Sequence, residues 1–237
     1  MLFKFYRMKE IFIYHHLGLG DHIMLNGFVR HVAESYNRTW VFAKPGNNTK
    51  NVKRMYIDNP NIHVIPLGDQ GARDHIRMFP NNKYMVVGHA PDFFKRIDDP
   101  TNGKSFDELF YEDYNIPHSY KWNKFYLQRD MDREKEVYYD ILGLSDDSKY
   151  IFIHESPERP INREIPEDIQ IIRPDNKEVG IFDYLYTISK SKQIHVMNSS
   201  FMNLIVCIEL REEQLYYHEY SRPNINTVLR LPWNILK

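Results

Sequence analysis

Short apolar runs bounded by glycine, proline or asparagine recur along the chain and alternate with stretches of helical spacing. Ile11–Tyr14 runs into a glycine-rich turn and predicts a buried strand. Ile23, Phe28, Val29 and Val32 then follow at helix-compatible spacing. Trp40–Ala43, Ile62–Ile65 and Tyr84–Val87 predict three further strands. Strands alternating with helices imply βαβ units and a parallel sheet. Pro91–Trp122 is rich in aromatic residues, Asp and Asn and carries no assigned element. Asp130–Leu144 predicts a helix, with Asp130 and Asp132 at its start, an apolar stripe of Val137, Tyr138, Ile141 and Leu142, and Gly143 at its end.

After the polar loop Ser145–Ser148 the pattern restarts. Tyr150–Ile153, Ile169–Ile172, Ile194–Met197 and Leu215–Tyr217 predict strands, and Asp183–Lys190 and Ser199–Leu210 predict helices. The expected organisation is therefore two small Rossmann-like domains, residues 1–145 and 146–237, with ligand bound where their facing edges make a cleft.

Composition narrows the class. The 237 residues are 42% hydrophobic and 14% aromatic, which excludes a disordered or collagen-like chain. Lys and Arg number 31 against 32 Asp and Glu, so no basic excess points to nucleic acid. Lys50, Lys53 and Arg54, like Lys95 and Arg96, read as solvated faces or acceptor-side contacts. The single cysteine, Cys207, excludes an internal disulfide framework and a cysteine-based zinc module. No run reaches the roughly 18 apolar residues of a membrane span. Lys4, Arg7, Lys9 and Glu10 break any signal-peptide core. A cytoplasmic protein is expected, and the glycosylation sequons at Asn37, Asn47 and Asn198 read as chance.

Candidate chemistry collects at the strand–helix junctions. His15-His16-Leu17-Gly18-Leu19-Gly20-Asp21-His22 lies between a strand and a helix. Glycines there allow close backbone approach to a ligand, but Ile23 occupies the third small position of a dinucleotide fingerprint, so that reading loses its support. Asp21 reads either as a helix-capping carboxylate or as a general base for a hydroxyl acceptor. His15, His16 and His22 are alternative bases, substrate contacts or packing residues. His16 and His22, with His89, are the expected acceptor or sugar contacts. In the second half, Asn198, Ser199 and Ser200 read as helix caps or as a phosphate site. Arg159 and Arg163 supply two cations for a diphosphate, or pair with Glu155, Glu158 and Glu164. Arg173, Asp175 and Asn176 are nucleoside contacts or turn residues.

Gly18-Leu-Gly-Asp21 after the first strand and Asn198-Ser-Ser-Phe201 opening a late helix resemble the GT-B glycosyltransferases, most closely the heptosyltransferase-like group, family 9. Asp183–Lys190 followed by Gln193–Met197 matches that group's helix–strand lead-in. The resemblance implies an α/β GT-B architecture of two Rossmann-like domains. It also implies an inverting, metal-independent transfer of a hexosyl or pentosyl group from a nucleotide-diphosphate sugar to a glycan or lipid-linked acceptor. In that scheme Asp21 is the base, Gly20 brings its backbone close to the donor, Ser199 and Ser200 hold the diphosphate, and no cofactor is needed. Family members commonly carry Asp at the position of Asn198 and His at the position of Asn203, and this chain is shorter than the usual GT-B protein. Those departures motivate a second reading, a degenerate GT-B protein that binds nucleotide or glycan without turnover. A third reading takes Asp130-Met-Asp132 as the metal-binding Asp-x-Asp of a GT-A enzyme, against its role as a helix start.

Overall fold

The computed structural model describes residues 9–99, 102–161, 169–210, 214–221 and 227–237. The chain divides into two compact units between Gln128 and Arg129.

In the first unit, β1 (Glu10–Tyr14), β2 (Arg38–Ala43), β3 (Ile62–Pro66) and β4 (Tyr84–Val86) form one sheet in the order β3-β2-β1-β4, every pairing parallel. Helices α1 (Leu19–Met24) and α2 (Asn26–Ala33) carry the crossover from β1 to β2. Helices α3 (Asn47–Met55) and α4 (Asp69–Met78) carry the next two. The strands are apolar runs because helices cover the sheet. Ile11 and Ile13 of β1 and Val41 and Phe42 of β2 are buried, and Phe12, Tyr14, Leu17, Phe42 and Ala72 form one cluster. The direction of travel reverses between β1 and β4. In open parallel sheets that reversal opens a crevice at the carboxyl ends of the two strands, here at residues 15–18 and 87–92.

The unassigned stretch Pro91–Trp122 folds as three short helices, α5 (Phe93–Asp98), α6 (Phe106–Glu112) and α7 (Tyr120–Asn123). Ser105 opens α6 with a capping box: its hydroxyl accepts from the Glu108 amide, and Glu108 Oε2 accepts from the Ser105 amide at 2.7 Å. Lys121 is fully buried with its Nζ 2.6 Å from Asp107 Oδ2, and His118 Nε2 lies 2.9 Å from the same oxygen. Burial alone would raise the Asp107 carboxyl, but the Lys121 ammonium and the His118 bond outweigh it and hold the group far below the usual range.

In the second unit, β5 (Tyr150–His154), β6 (Gln170–Ile172), β7 (Gln193–Val196), β8 (Leu215–His218) and β9 (Asn234–Leu236) form a parallel sheet in the order β6-β5-β7-β8-β9. The reversal falls between β5 and β7, which places a second crevice beside residues 155–161 and 197–199.

The expected boundary at residues 145 and 146 moves. The helix predicted over Asp130–Leu144 is α8 (Met131–Glu136) running into a π-helical turn, Val137–Ile141, and it lies within the second unit. It packs there because its inner face is committed: Arg133 reaches Asp183 at 3.9 Å, and the Tyr138 ring lies against Tyr150 and Tyr186. Buried Glu134 takes Arg129 Nε at 2.9 Å, which anchors the start of the unit. A 3₁₀ turn (Ile181–Tyr184) leads into α9 (Leu185–Lys190), and α10 spans Ser200–Ile208. Strand β9 went unpredicted. It has three residues, two of them exposed, and its place is set by parallel pairing with β8. No helix among the described residues is long and apolar enough to cross a membrane.

Candidate functional site

The crevice of the first unit is a histidine-rich edge. Gly18 caps α1 with extended backbone and no side-chain bond. A Cβ at Gly18 would lie 2.5 Å from Asp21 Oδ2, so the carboxylate folds back over the glycine at the head of the helix. Asp21 is half-buried and Gly20 is the second residue of the helix. His16 Nε2 lies 2.8 Å from the Gly88 carbonyl, and its ring is stacked on Phe94, 5.8 Å away at 7°. His89 stacks on Tyr14 at 4.5 Å and meets the His16 ring edge-on at 4.7 Å. Gly88 has φ +73°, and a Cβ there would overlap the Phe110 ring, so only glycine lets this loop close on the aromatic cluster. Burial, then the neighbouring His89, lowers the His16 imidazole; burial likewise lowers His89.

His22 is corrected from acceptor contact to core residue. Its side chain is fully buried, neither ring nitrogen has a hydrogen-bond partner among the described residues, and its ring meets that of buried His15 edge-on at 4.3 Å. Burial, then His15, holds its imidazole well below the ordinary value. A ring shut inside the domain touches no ligand. His16 and His89 are thus brought together at the edge, and His22 is not among them. Polar groups missed in the sequence complete this edge. Tyr14 donates to Asp69 Oδ1 at 3.4 Å, Arg73 Nε donates to the Tyr14 hydroxyl at 3.4 Å, and Lys44 lies 3.6 Å from Asp69 Oδ2. Their signal was positional: Tyr14 ends β1, Lys44 follows β2, and Asp69 opens α4, which also carries Arg73.

The crevice of the second unit holds a cavity of about 350 Å³, lined in part by His154, Glu155, Pro160, Arg173 and Asp175. Arg173 follows β6 and donates its Nε to Glu155 Oε1 at 2.8 Å, while Glu155 Oε2 accepts from the Ile161 amide at 2.7 Å. This carboxylate is held below its usual range: burial opposes the shift, but the Ile161 amide and the Arg173 guanidinium outweigh it. Asp175 and Arg173, expected as nucleoside contacts, share the cavity wall. Ser199 caps α10, its Oγ accepting from the Met202 amide at 3.4 Å, and Ser200 is the first helical residue. Asn198 lies just before the cap with its side chain buried, so Ser199 rather than Asn198 terminates the helix.

Arg159, expected as a diphosphate cation, sits on a tight turn between the wall residues Pro157 and Pro160. Its backbone closes a tight turn on Ser156, its amide donating to the Ser156 carbonyl at 2.9 Å, and its side chain is exposed and off the cavity wall. Arg163 lies outside the described residues.

His154, the last residue of β5, was missed. Its Nδ1 lies 2.9 Å from Ser199 Oγ and its ring centroid 4.6 Å from that of Phe201. Burial pushes its imidazole down to about 4. The contact joins residues 45 apart, which no local pattern reports.

Asp130, one half of the Asp-x-Asp pair, accepts the Arg133 amide at 3.1 Å as the N-cap of α8. Among the described residues no group of three or more His, Cys, Asp or Glu side chains is gathered for a metal.

No family model matches the chain, and no curated protein matches its sequence. Its structure is similar to the crystal structure of a glycosyl transferase family 9 protein from Veillonella parvula DSM 2008. The match has a TM-score of 0.59 and 10% identity, and it covers 96% of this chain and 85% of that one. At that identity the likeness is one of fold: two parallel-sheet α/β units, matching the GT-B-like fold that the sequence resemblance implies.

Proposed function

We propose that the chain is a glycosyltransferase that moves a sugar from a nucleoside-diphosphate donor to a hydroxyl acceptor, inverting and without a metal. The second unit binds the donor. The observation that carries this reading is the cavity at the ends of β5 and β6, where Arg173 and Asp175 line a volume within the roughly 300–1,000 Å³ range of small-molecule sites. Arg173 meets phosphate charge, and the head of α10, capped by Ser199, offers the Ser200 hydroxyl and backbone amides. Asp21 of the first unit is the base. It takes the proton of the acceptor hydroxyl as that oxygen bonds to the anomeric carbon. The bond from that carbon to the diphosphate breaks, and the nucleoside diphosphate leaves with the electron pair. Neutral His16 and His89 and the exposed Phe94 contact the acceptor.

A thermal-shift screen with UDP, GDP, ADP, CMP and TDP tests the donor assignment. A selective upward shift is expected, and no shift with any of them refutes it. Asp21→Asn is expected to lower turnover about 10²–10⁴-fold with the nucleotide shift retained. Near-normal turnover removes Asp21 from the mechanism. A second reading, binding without turnover, is favoured by Asn198 and Asn203. Both are buried and uncharged, and Asn203 Oδ1 has no hydrogen-bond partner among the described residues. Nucleotide binding without donor hydrolysis or transfer selects that reading.

A further inference from the structure

His154 sits on the cavity wall with one ring nitrogen spoken for and the other open. Nδ1 faces Ser199 Oγ at 2.9 Å, and the Phe201 ring braces the imidazole from another side. Turning the ring over would replace Nδ1 with carbon and lose that bond. Ser199 Oγ already accepts the Met202 amide. Its hydroxyl proton is free to be donated, and among the described residues His154 Nδ1 is the acceptor within hydrogen-bond distance. A neutral imidazole whose Nδ1 accepts must carry its proton on Nε2. Nε2 has no hydrogen-bond partner among the described residues.

We infer that Ser199 fixes His154 as the Nε2–H tautomer, so that His154 donates a hydrogen bond to an oxyanion in the cavity, the diphosphate of the donor. This rests on the reading of the second unit as the donor site and adds to it a named donor residue. Ser199 thereby has two tasks, capping α10 and orienting the proton of a ring on β5. Such a donor needs no reorganisation when negative charge develops on the departing phosphate, which is the condition for electrostatic stabilisation of a leaving group.

The test uses the whole chain labelled with ¹⁵N and inorganic pyrophosphate as the probe. Two-bond nitrogen–proton correlation spectra distinguish the two tautomers, and the His154→Gln variant identifies the His154 signals among the eleven histidines. The expected result is an Nε2–H tautomer at neutral pH whose Nε2 resonance moves as pyrophosphate is added. An Nδ1–H tautomer, or a His154 spectrum untouched by a pyrophosphate that binds, overturns the inference. So does a failure of pyrophosphate to bind at all.

Variants give a second readout. His154→Ala is expected to weaken pyrophosphate by about tenfold or more, and His154→Gln, whose amide can donate from a similar position, to recover most of it. Ser199→Ala is expected to give a mixture of tautomers. If the alanine variants do not fold, the wild-type spectra still decide. The two levels fail separately. Pyrophosphate that moves His154 while no nucleoside diphosphate is preferred removes the donor reading and leaves the oxyanion contact. A nucleoside diphosphate that binds with His154 silent removes the contact and leaves the donor reading.

Discussion

Acid should unfold the first unit through His15, and the effect can be isolated. His15 is fully buried, its Nδ1 lies 2.5 Å from the His16 carbonyl oxygen, and its Nε2 has no hydrogen-bond partner among the described residues. Burial, only partly offset by that carbonyl, pushes the imidazole from 6.5 down to about 3. A lowered native value means that the unfolded chain binds the proton first. The stability is present in full above 6.5 and is lost as pH falls from there toward about 3. At pH 5 the unfolded imidazole is almost fully charged and the native one is neutral, which costs about 2 kcal/mol, since pH 5 lies 1.5 below the ordinary value of 6.5.

The measurement is urea unfolding at pH 7 and pH 5 for a Trp233→Phe protein, in which both remaining tryptophans, Trp40 and Trp122, report the first unit. The same two curves are recorded after His15→Phe, which keeps a ring against His22 and cannot titrate. The difference between pH 7 and pH 5 should shrink by about 2 kcal/mol in the variant. Equal losses in both proteins would show that His15 is not kept neutral by the fold.

Other substitutions test other links. Gly88→Ala should destabilise by about 2–4 kcal/mol in urea unfolding, since it adds a left-handed alanine to an overlap with Phe110. Lys121→Met should cost about 3–5 kcal/mol by leaving Asp107 buried without its cation, and adding Asp107→Leu should restore much of it; a single variant as stable as wild type would refute this. Gly18→Ala, at ordinary φ, should keep its melting temperature but lose turnover, because the new methyl displaces the Asp21 carboxylate. Arg173→Ala should weaken nucleotide about tenfold by calorimetry, and unchanged affinity would take the guanidinium out of the phosphate contact.

The two sheets were legible because their inner strands are buried on both faces, so Ile11–Tyr14, Tyr150–Ile153 and Ile194–Met197 stand out as unbroken apolar runs. The strand–helix alternation then places ligands at carboxyl ends, and Asp21 and Ser199 do lie at two such ends. Residues 91–122 were opaque for the opposite reason. Phe93 joins Phe106 and Phe110, a pair one turn apart on α6, in packing on His16 across a loop, and Ser105-Phe-Asp-Glu108 carried a local signature, a capping box that went unread. His22 looked like a site residue because it adjoins Asp21 in sequence, yet one step around a helix turns a side chain from the rim to the core. His154 was invisible because its meaning lies in a partner on another element.

The margins of the two sheets carry a consequence for life in a crowded solution. Among the described residues, β4, β6 and β9 expose edges only three residues long, and the fourth margin, β3, ends in Pro66, which has no amide hydrogen to offer. Brief or proline-tipped edges give a neighbouring molecule little main chain to template on, so strand-by-strand coalescence should be a poor route to aggregation for this protein. Lengthening β9 by a few β-branched residues would remove that protection.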